Sequence, residues 1–364
     1  MSRVGILFLL IAVSLVCIGI VITFSASAPH AYEYLNRTTY FLWRELIACG
    51  LGCVALLIFY RMGPKTLERF SRIIFLGAVF SLFLVYLPSL GHSSGGAKRW
   101  LSIFGVTVQP VEFLKVAFCV YFADYLSRKS RLIERGNVSV FLTPLMFLMA
   151  VSGILLLQPD LGSVIILFLI TAIMFFLAGI GWRYIFSLAG VGLAGLAVAV
   201  IAEPYRFKRV ISFLDPWQDP KGAGFQIIQS FLALGRGGIT GVGLGESTQK
   251  LFYLPQSYSD FIFAILGEEL GIIGTGVTLL LFLGLLITGL ILASRETTLF
   301  RKLLVCSLVY LITSQAVINI LVVTGLVPTK GLALPFISYG GTALLANMSA
   351  VGIVLGVDRK RTSS

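Results

Sequence analysis

The stretch Leu254–Gly274, LPQSYSDFIFAILGEELGIIG, decides how the chain is read. It sets three carboxylates, Asp260, Glu268 and Glu269, where an apolar run begins that continues for a full membrane thickness. A charged side chain costs about 2.5–3.5 kcal/mol at the bilayer centre on insertion scales and less near the interface, so acids at the mouth of such a run need a reason. Two readings of Asp260 are open. Ser259-Asp260 before an apolar run is a good helix start, which makes Asp260 an N-cap. The other reading makes Asp260 a general base at the outer rim. On a helix starting there, Asp260, Ala264 and Glu268 share one face, with Glu268 deeper in the same cavity.

Similar apolar runs recur along all 364 residues. With 57% hydrophobic and 12% charged residues and a mean hydropathy of +0.96, the composition excludes an ordinary soluble domain. Ten membrane spans are expected, with cores near 4–26, 43–60, 73–90, 109–126, 138–157, 163–179, 185–202, 266–293, 303–323 and 342–357. The predicted fold is an all-α polytopic membrane protein, one domain over 1–364, with a large extracytoplasmic loop at about 203–260 between spans 7 and 8. Gln158-Pro159-Asp160-Leu161-Gly162 splits the fifth span from the sixth, because Pro, Asp and Gly together stop a helix. Ala26-Ser27-Ala28 resembles a signal-peptidase site. The apolar run before it, Val4 to Phe24, exceeds the roughly 7–15 residues of a signal core, so it reads as a retained span. No internal repeat and no low-complexity tail is visible, and the two halves share no interrupted-helix pattern, which disfavours an inverted-repeat transporter.

The net charge of +12 does not make this a nucleic-acid binder, because the basic residues sit in short loops between apolar runs. With the N-terminus inside, the inner segments carry Arg3, Arg61, Lys65, Arg69, Arg72, Arg128, Lys129, Arg131, Arg135, Arg183, Arg295, Arg301, Lys302, Arg359, Lys360 and Arg361. The short outer loops carry only Arg37, Arg44, Lys98, Arg99 and Lys330, which places both termini in the cytoplasm. The unusual chemistry then converges on the outer face: Gly95 to Trp100, Gln158 to Gly162, the 203–260 loop, and Pro328 through Gly341.

The five cysteines lie in apolar runs and read as small buried hydrophobes; with two histidines in the chain, no metal site is expected. Glu112 and Lys115, at i and i+3, are either a self-neutralising intramembrane pair or a lysine lining a cavity for an anion. The outer cations Lys98, Arg99, Arg206, Lys208, Arg209, Arg236 and Lys250 outnumber what orientation requires. Arginine forks bind phosphate bidentately, although bulk anionic lipid explains any single one. The glycines of 235–245 are not a P-loop; a flexible loop or a backbone cradle for pyrophosphate remain. Gln315 and Asn319 read as interhelical hydrogen-bonding groups.

At these residues the chain resembles the SEDS proteins (shape, elongation, division and sporulation), the FtsW/RodA group of bacterial cell-wall polymerases. The resemblance is carried in order by Ala97-Lys98-Arg99-Trp100, Gln109-Pro110-Val111-Glu112 with Lys115, Gln158 to Gly162, Phe213-Leu214-Asp215-Pro216-Trp217, Lys250 with Tyr253-Leu254-Pro255, Ser259 to Phe263, Glu268-Glu269-Leu270-Gly271, Pro328-Thr329-Lys330-Gly331 and Leu334 to Gly341. Pro216-Trp217, Gln249-Lys250 and Pro328 to Gly331 look like the division branch. The chain departs from the family at Val111, where Ser is usual, and at Gln256 and Tyr258, where Glu and His are usual. Losing those two titratable groups shifts weight onto Asp260.

The resemblance implies a multi-pass protein of the bacterial inner membrane that joins lipid II units into glycan strands outside it. The acceptor hydroxyl attacks the anomeric carbon and undecaprenyl pyrophosphate leaves with inversion. Asp260 would be the catalytic base. Lys98, Arg99, Glu112, Lys115, Arg206, Arg209, Lys250, Lys330 and Ser338 would bind substrate, and Gln158, Asp160, Glu268 and Glu269 would support the cavity. A divalent cation, Mg²⁺ or Mn²⁺, could accompany the pyrophosphate. Implied partners are a class B penicillin-binding transpeptidase, the division or elongation machinery and membrane lipid, with no nucleic acid. A lipid II flippase and a non-catalytic scaffold for the transpeptidase are the competing readings. A flippase needs polar access from the cytoplasmic side, which the short basic inner loops do not offer.

Overall fold

The computed structural model describes residues 1–94, 97–103, 106–222 and 224–362; Gly95 and Gly96, singled out above, lie outside them. In chain order the elements are α1 (Arg3–Leu35), α2 (Tyr40–Met62), α3 (Pro64–Leu84), β1 (Gly91–Ser94), β2 (Ala97–Ile103), β3 (Val106–Val108), α4 (Pro110–Arg128), α5 (Ser130–Glu134), α6 (Ser139–Leu157), α7 (Leu161–Leu177) and α8 (Trp182–Ile201). Then follow α9 (Pro204–Leu214), a 3₁₀ turn (Pro216–Gln218), α10 (Phe225–Gly237), α11 (Ile262–Ser294), α12 (Leu299–Val323) and α13 (Gly341–Thr362). Every predicted core falls on a long helix, but the third helix stops at Leu84 and not at 90. Seven of the helices among the described residues are long and apolar enough to cross a membrane by length and composition.

Two expectations need correction. The fold is not purely helical: β1, β2 and β3 form a three-stranded antiparallel sheet between α3 and α4, with a register shift between His92 and Ser93. Its strands are too short and polar to stand out against the apolar runs; the β-branched Val106-Thr107-Val108 is the one local signal. The 203–260 segment is also not a plain loop, since it holds α9, the 3₁₀ turn and α10.

The helices bury one continuous apolar core, in which α11 packs against α1, α10 and α12, α2 against α13, and α3 against α4. Large apolar side chains such as Trp43, Ile47, Ile73, Met146, Phe186, Val198 and Leu280 point outward. On a chain of this composition such a surface faces lipid. Ala26 and Ser27 are buried inside the continuous α1 helix, so the cleavage-like tripeptide is helix interior.

The glycines near α10 serve close backbone approach. Gly271 breaks α11 with φ 64° and ψ −161°, a conformation essentially confined to glycine. A Cβ there would lie 2.4 Å from the Gly241 nitrogen and the Ile239 carbonyl oxygen. The kink frees the α11 backbone to pair with that segment: Ile272 N–H donates to Gly238 O (3.0 Å) and Gly243 N–H to Glu269 O (3.1 Å). Gly237, Gly238, Gly241 and Gly243 are thus committed to α11. Gly271→Ala is expected to destabilise the chain by about 1–3 kcal/mol from backbone strain alone, read as a lowered thermal midpoint in detergent; an unchanged midpoint would contradict the packing described.

Candidate active site around Asp260

Asp260 sits in the turn-rich segment before α11, which starts at Ile262 with Phe261 as its N-cap and no side-chain capping bond. The N-cap reading of Asp260 therefore fails, and so does its helical spacing to Glu268. The turn is held through its backbone. Asn319 on α12 donates from Nδ2 to the carbonyls of Asp260 (2.8 Å) and Leu332 (2.7 Å). Ser338 donates to Ser259 O (2.6 Å) and accepts from Leu334 N–H (2.7 Å). Tyr339 N–H donates to Tyr258 O (3.0 Å). These bonds clamp the turn to the 328–339 segment, whose Gly331 lies so near that a Cβ would be 3.1 Å from Asp260 Oδ2.

The Asp260 carboxyl is half-buried, and burial pushes it up to about 6, against the opposing pull of the Arg209 and then the Arg99 guanidinium; Asp160 adds a smaller push upward. All four polar segments predicted to converge are therefore represented here, by Arg99, Asp160, Gly331 and, from the 203–260 segment, Arg209 and Asp260 itself. Each guanidinium is held by carbonyls. Arg99 on β2 donates from Nε to Gln158 O (2.7 Å) and from Nη2 to Pro159 O. Arg209 donates to Thr329 O (3.2 Å) and lies 4.5 Å over the Tyr205 ring. Among the described residues neither guanidinium forms an ion pair with a carboxylate. Asp160 caps α7 through Ser163 N–H (3.1 Å) and Ser163 Oγ (2.8 Å), and Gln158 Nε2 donates to Leu82 O (3.0 Å), which fixes the break that carries Arg99. Lys330 is half-buried beside Gly331, and burial lowers it to about 8. Lys98 is exposed on β2, and Arg206 donates to Ala199 O (3.0 Å) at the end of α8.

Other expected site residues sit as follows. Lys250 is buried, and its Nζ donates to Glu269 Oε1 (2.8 Å), Ser25 Oγ (2.9 Å) and Gly245 O (2.6 Å). Glu268 accepts from Thr248 N–H and Oγ1 (3.1 Å each), Gln249 N–H (3.3 Å) and Ser247 Oγ, and so ties the 247–249 segment to α11. Lys115 is buried against Glu112 at 2.8 Å, the self-neutralising pair. Ser338 is buried, with its hydroxyl used in the clamp. Asn319 is the residue whose role the sequence hid, since it anchors the Asp260 turn and not merely a helix pair.

The departures at Gln256 and Tyr258 have their own places. Gln256 takes φ 60° and accepts from Ser259 Oγ through Oε1 (2.7 Å). Tyr258 joins Phe41, His30 and Tyr339 at ring-centroid distances of 5.3, 5.3 and 5.9 Å. No group of three or more His, Cys, Asp and Glu that could hold a metal occurs among the described residues.

A model of the FtsW/RodA/SpoVE family, described as "Cell cycle protein", matches residues 6–363. The chain belongs to the FtsW/RodA/SpoVE family. Among its curated FtsW/RodA/SpoVE relatives is the "Probable peptidoglycan glycosyltransferase FtsW" of Geobacter sulfurreducens, 41% identical over 99% of this chain and 96% of that protein. Another is stage V sporulation protein E of Bacillus subtilis, 39% identical over 97% and 96%. A solved structure described as "Structural coordination of polymerization and crosslinking by a peptidoglycan synthase complex" is similar with a TM-score of 0.80, 28% identity and 98% of both chains covered. With the family and the apolar helices together, the chain is a multi-pass membrane protein.

Proposed function

We propose that the chain is a peptidoglycan glycosyltransferase that polymerises lipid II into glycan strands at the outer face of the cytoplasmic membrane, in cell division. A relative of near-equal length is named a probable peptidoglycan glycosyltransferase. In this reading the ten long helices α1, α2, α3, α4, α6, α7, α8, α11, α12 and α13 all cross, in one domain. Both termini lie in the cytoplasm by loop charge, and the 203–260 segment lies outside.

The observation that carries the proposal is a raised carboxyl at Asp260 within electrostatic reach of two carbonyl-held guanidiniums, neither in an ion pair among the described residues. A base whose pKa lies near 6 is ionised at neutral pH yet still basic enough to take a proton as an alcohol attacks. The Asp260 carboxylate accepts the proton of the acceptor sugar hydroxyl while that oxygen bonds to the anomeric carbon of the donor. The anomeric C–O bond breaks on the opposite face, and its electron pair leaves with the lipid pyrophosphate. Arg99 and Arg209, already oriented by carbonyls, meet the charge that gathers on the pyrophosphate, and Lys330 stands on the same side. A good leaving group needs no second carboxylate acting as acid, unlike glycosidase pairs. A class B penicillin-binding transpeptidase, which would cross-link the strands, is the proposed partner.

The test is glycan-strand formation from purified lipid II with the cognate transpeptidase, with and without Mg²⁺ or Mn²⁺. Long strands are expected. No strands, where a known polymerase works on the same substrate, would favour a flippase or a scaffold. Asn319→Ala tests the clamp. It leaves two carbonyls without their donor and lets the turn shift, so strand synthesis should fall roughly 10²-fold with folding retained. Full activity would remove Asn319 from the positioning of Asp260.

A further inference from the structure

One well-defined cavity among the described residues lies far from Asp260. It is a cleft of about 410 Å³ between the N-terminal half of α3 and the C-terminal end of α4, lined by Lys65, Glu68, Arg69, Ser71, Arg72, Asp124 and Arg128. α3 carries Lys65 at one end and Leu82, whose carbonyl accepts from Gln158 beside Arg99, at the other. Seventeen helical residues put these roughly 25 Å apart. The cleft is therefore about one hydrocarbon thickness from the reaction site.

We infer that this cleft holds the phosphate of an anionic phospholipid headgroup, on the membrane face opposite the active site. Four cations meet two acids there, and one acid is already spent. Asp124 is buried and pairs with Arg128 at 2.7 Å while accepting from Ser71 Oγ. That network fixes the floor. Glu68 is the other acid in the lining; among the described residues no ion pair involves Lys65, Arg69 or Arg72, and Arg69 lies 5.7 Å over the Phe70 ring. Arginine forks suit phosphate oxygens, and three exposed cations within about two helix turns make a local excess of positive charge.

What selects a lipid over a free phosphate is the surface that continues from the cleft. Ile73, Leu76, Phe80 and Phe83 follow Arg69 and Arg72 along the same face of α3, at spacings of three and four, and all are exposed. An apolar stripe beneath a cationic cleft fits acyl chains below a headgroup. The inference rests on α3 crossing the membrane, and it is independent of the role given to Asp260.

The full-length protein is placed in phosphatidylcholine nanodiscs holding a minor fraction of phosphatidylglycerol, and retained phosphatidylglycerol is quantified after mild extraction. Wild type is compared with Arg69→Gln/Arg72→Gln and with a control outside the cleft, Arg131→Gln/Arg135→Gln. The cleft variant should bind phosphatidylglycerol roughly 30-fold more weakly and the control like wild type. Equal loss in both would leave only diffuse attraction to the surface and overturn the site. A photoactivatable phosphatidylglycerol serves as the second measurement on unmodified protein. Its adduct is expected within 65–72 or 124–128, and an adduct confined elsewhere would overturn the assignment. Inorganic phosphate separates the sources. Protection of the protein by phosphate alone equal to that by lipid would overturn the lipid assignment; little protection at millimolar phosphate supports it.

Discussion

Asp260→Asn should lower glycan-strand formation about 10²–10⁴-fold, the usual worth of a positioned general base. The variant keeps the shape of the side chain. It also keeps the carbonyl that accepts from Asn319, so the clamp to α12 survives. Removing a carboxyl whose ionisation burial disfavours should not lower stability, so loss of fold is not a competing explanation. The measurement is strand length and yield on gels, beside thermal midpoint and transpeptidase binding for the same sample. Strand synthesis within a few-fold of wild type would remove Asp260 from the chemistry, and with the cap role already absent it would leave the carboxylate without function.

Lys250→Met should be the most damaging single change to stability. Lys250 and Glu269 form an ion pair at 2.8 Å in which both side chains are shielded, and Ser25 on α1 donates to the same carboxylate oxygen at 2.6 Å. The other oxygen, Glu269 Oε2, has no partner. Taking the ammonium away strands a buried carboxylate, which costs about 3–5 kcal/mol. Three elements, α1, the 241–250 segment and α11, lose their common tie. Adding Glu269→Gln to the Lys250 variant removes both charges and should restore most of the thermal midpoint. A single variant as stable as wild type would show that the pair is dispensable. These outcomes also separate Lys250 from pyrophosphate binding, since a substrate contact would cost activity without moving the midpoint.

The helices were legible because apolar length survives any detail of packing. Asp260 was legible because a carboxylate beside a membrane run is expensive and therefore informative. Its surroundings were not. Extrapolating helical spacing from Asp260 to Glu268 presumed that α11 begins two residues earlier than it does, and the turn at 251–261 redirects the carboxyl away from that face. Lys250 and Arg209 look alike in sequence as outer cations. Only tertiary placement tells that Lys250 meets a glutamate nineteen positions on while Arg209 meets a carbonyl. Asn319 could not be distinguished from an interhelical amide, because its two acceptors are backbone carbonyls that carry no sequence signature. The sheet escaped for a related reason: three strands of seven residues or fewer give little periodicity to read, yet they orient Arg99.

The most direct test of Asp260 as the base is the pH–rate profile of wild-type polymerisation between pH 5 and 8 at limiting lipid II. The base works as the carboxylate, so activity must be lost as pH falls through its pKa. The predicted profile is flat above about pH 7 and drops toward tenfold per unit below about pH 6, with that limb missing from the residual rate of Asp260→Asn. A wild-type profile that stays level from pH 7 down to pH 5, in protein shown to remain folded, would contradict it.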